Sequence, residues 1–181
     1  MKTAALVIAA AVLVPHLASA GPYVGLAVGP SLETSGDGSY ASADRTGKLL
    51  VGFSLAQVAI EGAAMRGSLT QTDGGRGYDV TQLSLAGKLS LPLADGFEAF
   101  GRVGMQKTSL GSQNSADAGR ADADGSGLLL GAGIEYRLNL IATQASIFVD
   151  YNFASSTLNG PQFAAQTLQT RGFSIGATVG F

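Results

Sequence analysis

The last ten residues of the chain alternate without a break. Phe173, Ile175, Ala177, Val179 and Phe181 occupy one parity; Gly172, Ser174, Gly176, Thr178 and Gly180 occupy the other. A β-strand sends successive side chains to opposite faces, so this segment has one apolar face backed by a face of small and polar residues. A helix would scatter both sets around its circumference. The pattern returns upstream. Ala145, Ile147, Val149, Tyr151 and Phe153 alternate with Ser146, Phe148, Asp150 and Asn152, and Leu128, Leu130, Ala132, Ile134 and Tyr136 alternate with Gly127, Leu129, Gly131, Gly133 and Glu135. Leu129 and Phe148 are the two bulky residues at the small or polar parity.

Four earlier segments behave alike, at residues 97–108, 80–93, 58–65 and 48–55. Their apolar sets are Phe97/Ala99/Val103/Met105, Leu83/Leu85/Leu89/Leu91, Val58/Ile60/Ala64 and Leu49/Val51/Phe53/Leu55. Residues 23–29, rich in Gly and Ala, complete a set of eight strands. The connections alternate in length. Short ones sit at Ala56-Gln57, Ala94-Asp95-Gly96 and residues 139–144; long polar ones run over about residues 30–45, 67–77, 110–125 and 154–166. Tight periplasmic turns opposite longer external loops are the pattern of an outer-membrane barrel. The loops, rich in Gly, Ser, Asp, Asn and Thr, carry too little apolar surface to order themselves and are expected to be mobile. This topology gathers Phe97, Tyr136 and Phe181 near the periplasmic boundary and Tyr78, Phe153 and Phe173 near the outer one, as two aromatic girdles without Trp.

Composition supports a lipid environment. Of 181 residues 26 are Gly, about twice the usual share, and only 13% are charged, about half of it. Beyond the N-terminus no segment offers about 18 uninterrupted apolar residues, so helices do not do the spanning. At the N-terminus, Lys2, an apolar run over residues 4–14 and the triplet Ala18-Ser19-Ala20 have the layout of a cleavable secretory signal. Residues 1–20 are therefore read as a signal peptide and residues 21–181 as the outer-membrane barrel domain. N-terminal sequencing of the mature protein is expected to begin at Gly21; a retained Met1 would remove the signal.

Losing Lys2 takes the formal charge from −2 to −3, which implies no basic field and no nucleic-acid partner. Cys is absent and the only His, His16, leaves with the signal. The mature chain thus has neither imidazole nor thiol, and no cofactor or metal is expected. Asp117, Asp122 and Asp124 lack the fixed spacing and closing Glu of a calcium loop.

The polar parity places Glu61, Glu98, Glu135 and Asp150 in the lumen with Lys48, Lys88, Arg102 and Arg137. Charges withdrawn from bulk water must pair or stay hydrated, so four acids facing four bases predict an ion-pair network. Arg102 and Arg137 are expected to be held by Glu98, Glu135 and Asp150. Eight strands enclose only enough room for side chains, and no wide pore is expected. A narrow charged conduit is the alternative at this site. A lipid-modifying enzyme using paired carboxylates such as Glu135 and Asp150 is another, although membrane lipases and proteases generally use His. A soluble periplasmic barrel binding an apolar ligand would turn the apolar parity inward.

The terminal strand over residues 173–181, the stretch from Gly87 to Phe97 (GKLSLPLADGF) and the segment from Gly131 to Tyr136 (GAGIEY) resemble the OmpA-like outer-membrane β-barrel superfamily. The resemblance covers essentially the whole mature chain and implies an eight-stranded antiparallel up-and-down transmembrane barrel. It further implies a non-enzymatic role in the bacterial outer membrane, among lipid and lipopolysaccharide, in envelope integrity or surface interaction. Phe173, Ile175, Ala177, Val179 and Phe181 are similar to the signal read by the barrel-assembly machinery. With Phe181 last, no peptidoglycan-binding domain is expected.

Overall fold

The structure, a computed structural model, describes residues 20–29, 32–36, 40–42, 45–71, 77–112, 123–139, 144–160 and 163–181. These form ten strands: β1 (Gly21–Gly29), β2 (Glu33–Gly36), β3 (Tyr40–Ser42), β4 (Thr46–Leu55), β5 (Val58–Gln71), β6 (Gly77–Ala94), β7 (Phe97–Ser112), β8 (Ala123–Asn139), β9 (Gln144–Gly160) and β10 (Phe163–Gly180). Eight of them follow one another antiparallel in the order β1-β4-β5-β6-β7-β8-β9-β10, and β10 pairs back onto β1 to close the barrel. The closing register runs from Tyr23 opposite Gly180 to Val28 opposite Ile175. Closure satisfies the backbone groups that an open sheet would leave bare in lipid.

The alternation explains the closure. Val24, Leu26, Leu49, Val51, Phe53, Ile60, Leu83, Leu85, Val103, Met105, Leu130, Ile134, Ile147, Val149 and Ile175 all project outward and are exposed. So do Phe173, Ala177, Val179 and Phe181, the remaining apolar positions of the terminal strand. Leu129 and Phe148, out of parity in the sequence, are in the interior, Phe148 with 2% of its surface exposed. The inward apolar parity needed for a soluble, ligand-carrying barrel is not the one adopted at mid-barrel.

Tight turns lie at one end. Asp95 and Gly96 both have positive φ, 46° and 87°, as a two-residue type I′ hairpin requires, and a Cβ on Gly96 would crowd the Arg137 carbonyl. Ala56 takes φ 57° in the turn between β4 and β5. Each turn is tied to the adjacent strand: Ser90 N–H donates to the Gln57 carbonyl and Arg137 N–H to that of Gly96, both at 2.8 Å.

The opposite end departs from expectation. Most of the described residues in the four long connections are strand. The last connection, expected over residues 154–166, shrinks to residues 161–162 between β9 and β10. β5, β6, β7 and β8 likewise run into the expected loops. Within the first loop, β2 continues the wall beside β10, with Glu33 opposite Arg171, and β3 continues it beside β5. The remaining loop residues, Asp117 and Asp122 among them, lie outside the described residues.

The physical reason is an inversion of polarity. Above the apolar belt the outer wall carries Asp79, Lys107, Asp124, Ser126, Thr157 and Asn159, all exposed. The inner wall there carries Leu69, Val80, Leu110, Ala123, Leu158 and Leu168, which form one buried apolar cluster. The barrel thus leaves the bilayer and continues as a water-facing β-barrel with its own hydrophobic core.

The girdles change accordingly. Phe97 and Tyr136 pack with ring centroids 4.7 Å apart at the turn end, and Phe173 packs at the same distance on Tyr151. Tyr78, expected in the outer girdle, stands at the inward parity of β6 and is only 4% exposed. Phe153 is half-buried.

Candidate functional site

Inside the belt, neighbouring strands aim charge at a common axis. β6 and β7 set Lys88 directly opposite Arg102, and β7 and β8 set Glu98 opposite Glu135. Like charges facing one another across a pair of strands are unfavourable unless opposite charges intervene. Here they do. Glu61, from β5, accepts from Arg102 Nε and lies 3.8 Å from Lys88 Nζ. Lys88 Nζ itself bonds Glu135 Oε2.

Asp150, from β9, accepts from Arg102 Nη1, from Lys48 Nζ at 2.8 Å and from the Ser174 hydroxyl across the β9–β10 pair. Lys48, Glu61, Lys88, Arg102, Glu135 and Asp150 therefore make one connected network, neutral in sum, from six strands. Arg137 and Glu98 form a separate pair at 2.8 Å, nearer the mouth and partly exposed.

Of the carboxylates expected for Arg102, Asp150 holds it, while Glu61 takes the place of Glu98 and Glu135. Partners in a tube need not sit on adjacent strands. The inward side chains converge on the axis, so a residue such as Lys48 on β4 meets Asp150 on β9 across the lumen. The eight charged residues are all in the interior or its mouth and all take part in ion pairs.

Two aromatic rings complete the layer. Phe100 and Phe148 meet edge to face at 6.4 Å, and the Arg102 guanidinium lies 4.5 Å from the first ring centroid and 5.7 Å from the second. Lys88 Nζ sits 4.6 Å from the Phe100 ring. Cations held against ring faces in a desolvated site gain attraction beyond their ion pairs. The rings find room because glycines stand across from them: Gly133 opposite Phe100, and Gly176 opposite Phe148. A Cβ at either would lie 2.5 Å from the ring edge.

Sequence reading missed the uncharged members, among them Ser174 and Tyr23, whose hydroxyl donates to Glu61 Oε1 at 2.6 Å. The available signal for Tyr23 was its place at the inward parity of a strand with Val24, Leu26 and Val28 outward.

A cavity of about 50 Å³ opens below the network, lined by Tyr23, Lys88, Glu135, Arg137, Ser146 and Thr178. Another of about 60 Å³ lies above it, against Lys48, Leu50, Glu61, Gln82, Arg102 and Gln106. The lower one is mainly polar, the upper one mainly apolar with the network's charged groups at its floor, and each has room for a few waters. Over the upper cavity, Gln106 bonds Thr108 and Ser156, Gln82 bonds Thr170, and the apolar cluster follows. Of the three acids set aside as a calcium loop, Asp124 is on the outer wall, paired with Lys107 at 2.8 Å.

Comparison with known proteins agrees with this architecture. Neisserial surface protein A superposes with a TM-score of 0.61 at 12% identity, covering 90% of this chain and 99% of that one. Ail of Yersinia pestis, solved with the heparin analogue sucrose octasulfate, gives 0.58 at 13%, covering 90% and 99%. OprG of Pseudomonas aeruginosa gives 0.53 at 14%, covering 91% and 97%. At such identities these likenesses speak to the fold. No curated protein matches the sequence. The family model of the outer membrane protein beta-barrel domain matches residues 3–181, and with its closed antiparallel barrel and apolar belt the chain belongs to that family of bacterial outer-membrane proteins.

Proposed function

We propose that this protein serves as a closed, non-catalytic barrel that contributes to envelope integrity and holds its outward connections for surface contacts. The observation that carries the reading is the neutral six-residue network and its two rings across the lumen. Ions crossing this layer would have to part buried pairs, each costly to separate. Planar-bilayer recording of the purified protein is expected to show no steady conductance. Large, stable channels whose ion selectivity changes on substituting Arg102 would replace the closed barrel with a charged conduit.

The same geometry disfavours acid–base catalysis. Glu135 and Asp150, the paired carboxylates considered for it, are each occupied by cations, Lys88 for the first and Lys48 with Arg102 for the second. A group committed to a structural ion pair is poorly placed to exchange protons with a lipid. The terminal strand is the part proposed for recognition by the barrel-assembly machinery, because all five of its apolar residues, Phe173 to Phe181, face outward together.

A further inference from the structure

On the outer wall, just above the apolar belt, two arginines share one groove. Arg66 on β5 is one outward position beyond Ala64, and Arg45 sits at the entry to β4, one outward position beyond Gly47, which pairs with Arg66. Residues related diagonally across a strand pair are within reach of long side chains. Both arginines are exposed and line one groove of about 390 Å³, together with Gly67, Ser68, Asp79, Val80 and Thr81, so the groove carries two cations and one acid.

Neither arginine has an ion-pair partner among the described residues, and Asp79 already has an interaction of its own. Other outward cations near this height are engaged: Lys107 with Asp124, and Arg171 Nη2 with the Ser35 hydroxyl at 3.2 Å. Two strand positions beyond the last lipid-facing side chains is roughly 7 Å along the strand, the level at which apolar tails give way to headgroups.

We infer that Arg45 and Arg66 form a binding site for the phosphate group of an outer-leaflet glycolipid. The planar guanidinium binds phosphate through two parallel N–H donors, and two such forks on one groove suit a phosphate at the headgroup level, where a lipid also covers the belt beneath. The site is independent of whether the lumen is closed, since both arginines face away from it.

The test uses the whole protein extracted in detergent, with retained lipid measured by native mass spectrometry. The probe is lipid A carrying both phosphates, set against the dephosphorylated lipid. Wild type is expected to retain the phosphorylated form, and the double variant R45A/R66A to bind it roughly tenfold more weakly, with K107A unchanged. Heat-modifiable gel mobility checks that each variant is folded. Equal retention by wild type and R45A/R66A, equal retention of the dephosphorylated lipid, or an equal loss in K107A would each overturn the site. Displacement of the lipid by millimolar inorganic phosphate would also overturn it, assigning the groove to a free anion.

Discussion

Replacing Arg102 with Ala is expected to destabilise the folded barrel by about 3 kcal/mol, near the lower end of the range for breaking a buried ion pair. The side chain is 5% exposed and bridges Glu61 to Asp150. Its loss leaves Lys48 and Lys88 to balance three carboxylates, so one negative charge is unpaired in the lumen. It also removes the cation packed between Phe100 and Phe148. The adjoining cavities let water reach the stranded carboxylate, which keeps the loss from being larger.

Arg137→Ala is expected to cost under about 1 kcal/mol, because its pair with Glu98 lies at the mouth and is partly exposed, at 26% and 14%. Insertion should survive both changes, since the outward face is untouched. Urea titration of the heat-modifiable fraction in vesicles reads the difference. Adding Glu61→Gln to Arg102→Ala restores neutrality and should recover part of the loss, a non-additivity expected of coupled groups. Equal losses for Arg102 and Arg137 would show that the six residues do not act as a unit.

Arg at Ile134 or Val149 is expected to cost about 2 to 4 kcal/mol. The two residues face each other across β8 and β9, both point outward, and apolar neighbours flank them above and below on the same face. At mid-belt a guanidinium has no described carboxylate beside it and must distort the bilayer or reach for the headgroups. By contrast, Thr178→Ser should be nearly silent. Thr178 faces inward and exchanges a hydrogen bond with the Ser146 hydroxyl at 2.6 Å, which serine can retain. Unfolding in vesicles of fixed composition measures all three, and equal tolerance would undo the assignment of faces.

What the chain reveals before folding is whatever depends on period two. Alternation at residues 173–181 or 145–153 names the strand and both of its faces, because adjacent side chains on a strand have no freedom to choose sides. Phe148 and Leu129 looked like errors in that pattern and are interior packing. The inward charges were legible for the same reason: an ionised residue between outward apolar neighbours has only the lumen to enter.

Reading failed where the solvent changed along a strand. Residues 154–160 keep alternating, but with Ala154 and Leu158 now inward and Thr157 and Asn159 outward. A search for apolar residues at the earlier parity sees only polar ones and ends the strand too soon. The height at which lipid gives way to water is a property of the assembled wall, so Tyr78 could not be placed from its neighbours alone.

Pairing within the lumen was likewise decided by closure. Local sequence puts Glu98 near Arg102 and Glu135 near Arg137, yet Arg102 is met by Glu61 from 41 residues away and Asp150 from 48. Closure turns every inward side chain toward one axis, where distance through space has little relation to separation along the chain. The sequence by itself determined which residues point inward; only the closed barrel decided which of them touch.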